Sequence, residues 1–248
     1  MTDVYAGALA KIRQPTPPRW RGLKVQLGAA ILAGTGLMLG ASLLLVGVST
    51  LPLGFAMAGY VTGAIFALRL MNKGFPYRVL GGGNLVTLAR MALVAALLAP
   101  TVGVAARWAL VGVATLALVL DGVDGWLARR EGRVSAFGSK LDMEVDSALA
   151  LIMALHVWLA GVAGPLILLL GLPRYAFVVA GRFLPWLHPP LPESFARKVV
   201  CVVQVASLIA LNAPVMPSWF IAPVAAAVAG ALLWSFGRDI IWLWRSRP

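Results

Sequence analysis

Eight apolar runs divide the chain, at about 25–48, 52–70, 84–100, 105–128, 138–162, 165–181, 195–213 and 218–241. Most approach the roughly 20 residues that a helix needs to cross a hydrocarbon core. None alternates apolar and polar positions with period two, which excludes the strands of a membrane barrel. The breaks are short and carry helix-ending or charged residues: "STLPL", "MNKGFPYRVLGGG", "PTVG", "RREGR", "GVAGP", "LHPPLPE" and "NAPVMPS". The pattern predicts an all-α integral membrane protein with eight transmembrane helices. It divides into a basic arm (1–24), a hairpin (25–71), a linker (72–83) and a six-helix domain (84–244).

Composition sharpens this reading. With 60% hydrophobic and 12% charged residues, the chain could not cover its apolar surface with polar groups, so its solvent is lipid. A net charge of +12 would point to nucleic acid in a soluble protein. Here the positive-inside rule accounts for it, and no nucleic-acid partner is expected. With both termini cytoplasmic, 20 of the 21 Lys and Arg fall at or near cytoplasmic ends, Arg107 being the exception. The expected location is therefore the cytoplasmic membrane of a bacterium, with a basic N-terminal arm on its anionic inner surface. Trp219, Trp242 and Trp244 sit where interfacial anchors are expected. A cleaved signal peptide is not expected, because the first run is longer than an h-region. Cys201, the single cysteine, forms no disulfide framework and reads as a small buried apolar residue.

The acidic residues change the picture more. Six of nine lie in one 26-residue stretch, "DGVDGWLARREGRVSAFGSKLDMEVD" (121–146), which includes Asp121, Asp124, Asp142 and Asp146. Asp121 and Asp124 are three apart and Asp142 and Asp146 four apart, so each pair shares a helix face. The turn between them lays the two helix ends side by side and brings four carboxylates towards one point. Unpaired, each charge would cost roughly 2.5–3.5 kcal/mol or more inside a membrane. Ion pairs with Arg129, Arg130, Arg133 and Lys140 would account for one or two aspartates but not for four on matched faces. An oxygen-only donor set suits Mg²⁺ or Mn²⁺, and two such ions would balance four carboxylates. Gly122, Gly125 and Gly138 leave room there for a substrate or a neighbouring helix. His156, deep in the fifth run, and His188, in a Pro-rich loop, read as structural.

The stretch Asp121-x2-Asp124-Gly125-x2-Ala128-Arg129-x8-Gly138-x3-Asp142-x3-Asp146 resembles the motif of the CDP-alcohol phosphotransferase family at every position. "NLVTLAR" (84–90) is similar to the opening of that family's first core helix. The resemblance covers about residues 80–244 and implies a six-helix catalytic core to which the first hairpin is an addition. It also implies transfer of a phosphatidyl group from CDP-diacylglycerol to a small polar alcohol, with release of CMP. Asp121, Asp124 and Asp142 would hold the metals, and Asp146 would act as general base and touch a metal too. Gly125, Ala128, Arg129 and Gly138 would line the CMP site, together with Thr87 and Arg90. A homodimer among membrane lipids is the expected assembly.

The acceptor is less well specified. Arg174, Arg182, Arg197 and Lys198 gather around the sixth and seventh runs, with Glu193 as the one acid near them. They would suit a phosphorylated alcohol, which ranks glycerol 3-phosphate first and inositol or inositol phosphate second. Choline and serine follow, because the phosphatidylcholine synthases of the family have a longer Arg-to-Gly spacing. Two other classes compete: a UbiA-type prenyltransferase, whose motifs lack the Gly-x-x-Ala-Arg segment, and a non-enzymatic transporter with an acidic ion path. Only the family reading requires release of CMP.

Overall fold

The structure, a computed structural model, describes residues 20–104, 106–184, 186 and 194–245. Most of the N-terminal arm, with His188 and Glu193, lies outside them. Among the described residues every regular element is helical. The α-helices are α1 (Trp20–Val46), α2 (Thr50–Asn72), α3 (Gly82–Ala96), α4 (Arg107–Arg130), α5 (Ala136–Leu159), α6 (Pro173–Phe183), α7 (Phe195–Leu211) and α8 (Ser218–Arg245). Short 3₁₀ turns cover Ala99–Thr101 and Pro165–Leu170.

Among the described residues, five segments are long and apolar enough to cross a membrane: α1, α2, α3 with its 3₁₀ extension, α4 and α8. The expectation of eight spans is not met on that count. Helix α5 has the length, 24 residues, but its first three turns carry Lys140, Asp142, Glu144 and Asp146. The run expected as one helix over 165–181 is broken at Gly171–Leu172, because Pro173 has no N–H to continue the preceding turn. What remains as α6 is 11 residues, too short to span alone. At the other end, α1 begins at Trp20, so the last residues of the expected arm are helical.

Helix α3 is the centre of the molecule. It is buried over 72% of its most apolar stretch, and none of the other spans exceeds 28%. It packs against α4 on one side, α1 and α2 on another and α5 on a third. His156 of α5 is buried, and its Nε2–H donates to the Leu97 carbonyl at 2.8 Å just past the end of α3. That contact bears out the structural reading of this histidine.

The added hairpin packs against the core through this helix. Gln26 of α1 accepts the Leu80 N–H at 3.1 Å, and the Ala106 N–H donates to the Leu45 carbonyl at 3.1 Å. Within the hairpin, Tyr60 of α2 is buried and donates its hydroxyl to the Ile31 carbonyl of α1 at 2.8 Å. The ring can reach that carbonyl only because Gly34 has no side chain in its path. Gly34→Leu is therefore expected to destabilise the protein by about 1–3 kcal/mol, as overpacked sites do. Gly36→Leu on the same helix, where a Cβ meets open space, serves as control and is expected to change little. Thermal unfolding in detergent checks both.

Candidate active site

Two helix ends and one turn build the site. Helix α4 ends in a Schellman motif: the Gly132 N–H donates to the Arg129 carbonyl at 3.1 Å and the Arg133 N–H to the Ala128 carbonyl at 2.9 Å. Gly132 takes the left-handed conformation this requires, with φ of 62°. Three residues later Ser135 caps α5, its hydroxyl accepting the Gly138 N–H at 3.1 Å. Tyr77 donates to the Val134 carbonyl at 2.9 Å and lies 3.3 Å from that of Gly132. Glu131 accepts the Gly82 N–H with both oxygens, at 3.0 and 3.1 Å, which anchors the turn on the N-terminus of α3.

The three glycines before Asn84, read from sequence as linker, prove structural. Gly81 has φ of 77°. A Cβ on Gly82 would lie 2.7 Å from Glu131 Oε1, and one on Gly83 would lie 2.8 Å from the Asp124 carbonyl and 3.0 Å from Ala128 Cβ. Ala128 is small where α3 presses on α4. Gly138 has a comparable reason, since a Cβ there would come within 2.6 Å of Asn84 Oδ1. Gly125 faces the guanidinium of Arg129, with 3.2 Å between a would-be Cβ and Nη1. Arg129 is thus folded back over its own helix. Gly122 faces open space.

The four aspartates meet around a residue from the third helix. Asn84, Thr87 and Arg90 recur every three residues on one face of α3, and all three are buried. The Arg90 side chain has no exposed surface. Its Nη1 contacts Asp124 at 2.7 Å and Asp142 at 2.5 Å. Its Nη2 lies 3.0 Å from Asp121 and also bonds Asp146. Its Nε–H donates to the Ala117 carbonyl at 3.1 Å. The cation among the four carboxylates is therefore neither an arginine of the turn nor Lys140 but Arg90, which the resemblance had assigned to the nucleotide. Thr87, assigned with it, donates to Asp124 at 2.9 Å.

Exposure separates the carboxylates. The side chains are 5% exposed at Asp124, 28% at Asp121, 35% at Asp142 and 40% at Asp146. One oxygen each from Asp121, Asp142 and Asp146 lie within 4.8 Å of one another, a grouping able to hold a metal ion. With four carboxylates against one guanidinium, the formal charge is −3, and hard, oxygen-seeking divalent cations fit that donor set.

The acceptor candidates are divided among several partners. Arg174 of α6 pairs with Glu144 of α5, and Arg197 of α7 lies 2.9 Å from Asp239 of α8. Arg238 donates to Ser194 at 2.9 Å. The counter-charges come from helices distant in sequence, not from Glu193. Arg182 and Lys198 are exposed. Cys201, expected to be buried, is exposed one turn after Arg197. Helix α7 packs against α4 and α5, the two helices that carry the aspartates.

Four carboxylates converging at the ends of two adjacent helices of a helical membrane protein define a site with the donor set for hard divalent cations. The particular family follows from comparison: the CDP-alcohol phosphatidyltransferase family matches residues 82–235, well over half the chain, and the chain belongs to it. The match starts at α3 and leaves out α1 and α2. No curated protein and no solved structure matches the chain.

The contact between α3 and α4 is tight enough to test. Gly83→Val is expected to cost about 1–3 kcal/mol through overpacking. It should also reduce turnover, because it pushes Arg90 away from α4. Thermal unfolding combined with an assay of CMP release checks both effects.

Proposed function

We propose that the protein is a phospholipid synthase that transfers the phosphatidyl group of CDP-diacylglycerol to a small polar alcohol and releases CMP. The observation that carries this reading is the convergence of Asp121, Asp124, Asp142 and Asp146 on one point, in a chain of this family. These aspartates would hold two Mg²⁺ or Mn²⁺ ions. Such ions, when bound, neutralise the pyrophosphate and stabilise the attacking and leaving oxygens of the displacement.

The residues of the chain divide the remaining work. Asp146, the most exposed of the four, is the general base: it takes the proton from the acceptor hydroxyl as that oxygen bonds the lipid-linked phosphorus. The bond from that phosphorus to the CMP oxygen breaks, and Arg129, folded over Gly125, balances the charge of the departing nucleotide. Gly125, Ala128 and Gly138 keep the approach to the α4 and α5 backbones open. The alcohol is best read as glycerol 3-phosphate, giving a phosphatidylglycerophosphate-type product. Arg197 on α7, which packs against α4 and α5, supports a phosphorylated acceptor, with Arg174, Arg182 and Lys198 as further cations. In this reading the site and both termini face the cytoplasm, as the distribution of basic residues implies, and the protein works as a homodimer.

Purified protein with CDP-diacylglycerol and Mg²⁺, offered glycerol 3-phosphate, inositol, inositol phosphate, serine and choline in turn, tests the reading. A phosphatidylglycerophosphate product with release of CMP is expected. Turnover confined to serine or choline would overturn the acceptor assignment, and absence of CMP with every alcohol would overturn the reaction. Asp146→Asn is expected to lower kcat by about 10²–10⁴-fold with the fold intact, as loss of a general base does. Near wild-type turnover in that variant would remove Asp146 from this role.

A further inference from the structure

The match to the family explains why the carboxylates are present but not why a fully buried arginine stands among them. All the nitrogens of the Arg90 guanidinium are engaged by protein. Nε bonds a main-chain carbonyl of α4, Nη1 contacts Asp124 and Asp142, and Nη2 contacts Asp121 and Asp146. A guanidinium has five N–H donors, and five protein oxygens surround this one. None is left to reach a nucleotide phosphate while the arrangement holds. Thr87, one turn earlier, fixes the buried end of the cluster through Asp124.

We propose that Arg90 is the resident counter-cation of the carboxylate site. It holds α4 and α5 together when no metal is bound, and divalent ions bind against its charge. The inference rests on the reading that these aspartates take divalent cations, but it does not depend on the identity of the acceptor. Arg90 is a positioning residue, acting through the carboxylates that surround it.

Two opposite consequences follow for one substitution. Removing the charge leaves four carboxylates facing one another, so the metal-free protein loses stability. The same change removes a positive charge within a few ångströms of where the ions must sit, so divalent affinity rises. A residue needed only to shape the site would lower both. A residue that contacts the nucleotide would leave metal affinity unchanged.

The test uses full-length protein in nanodiscs. Mn²⁺ binding is followed through the electron paramagnetic resonance signal of the free ion, and thermal unfolding is recorded with EDTA and with saturating Mn²⁺. Arg90→Met is expected to bind Mn²⁺ about tenfold or more tightly than wild type, because a repelling charge at close range is gone. Its melting temperature in EDTA should fall well below wild type, and Mn²⁺ should restore most of the difference. Arg90→Lys keeps the charge and is expected to stay within about threefold of wild-type Mn²⁺ affinity, since the Coulomb term is retained. Equal or weaker Mn²⁺ binding by Arg90→Met would overturn the proposal, as would failure of that variant to fold even in saturating Mn²⁺. So would an Arg90→Lys variant that binds Mn²⁺ as tightly as Arg90→Met. Release of CMP by the wild-type protein, measured alongside, reports separately on the proposed reaction, so failure of one idea is not mistaken for failure of the other.

Discussion

A guanidinium with no exposed surface, in contact with four carboxylates from two other helices, is the constraint around which this structure is organised. Leaving such a cation without partners in a low-dielectric interior would cost several kcal/mol, and removing one partner from a buried pair typically costs about 3–5 kcal/mol. The arrangement is therefore tolerable only if α3, α4 and α5 are held in fixed register. Helix α3, which supplies the arginine, is accordingly the most enclosed element of the molecule. The hairpin α1–α2, outside the region matched to the family, covers part of it. Its contribution to the site is indirect: it encloses the helix that carries Arg90.

Register comes from small features near the turn. The Schellman motif at Gly132 and the cap at Ser135 set the angle between α4 and α5. Glu131 and Tyr77 tie that turn to the segment leading into α3. The close approach at Gly83 then sets how deeply Arg90 reaches between the aspartates. Each contact is worth only about 0.5–1.5 kcal/mol on its own. Their importance is geometric, since carboxylates that must share ions tolerate little displacement.

Much of this was legible in the sequence. The apolar runs placed the helices, and the three- and four-residue spacings put two carboxylates on each of two facing ends. What stayed hidden was the origin of the counter-charge. The cations nearest the aspartates in sequence lie in the turn, whereas Arg90 lies more than 30 positions upstream of Asp121 and reaches them only through the packing of α3 on α4. The partners of Arg174 and Arg197 were hidden for the same reason. Hydropathy also predicts too long a helix at Pro173, because it reports lipid exposure but not continuity of the backbone hydrogen bonds. The triple glycine carried a readable signal, since three consecutive residues without side chains before a polar helix start suit close packing as well as a flexible link.

In the proposed reaction, a carboxylate cluster with more negative charge than its own arginine can balance works only with divalent cations. The most direct measurement is release of CMP from CDP-diacylglycerol in nanodiscs, with glycerol 3-phosphate present, as divalent ions are removed and returned. Chelation is expected to stop the release, and Mg²⁺ or Mn²⁺ to restore it. Release that continues unchanged in excess chelator would contradict that dependence.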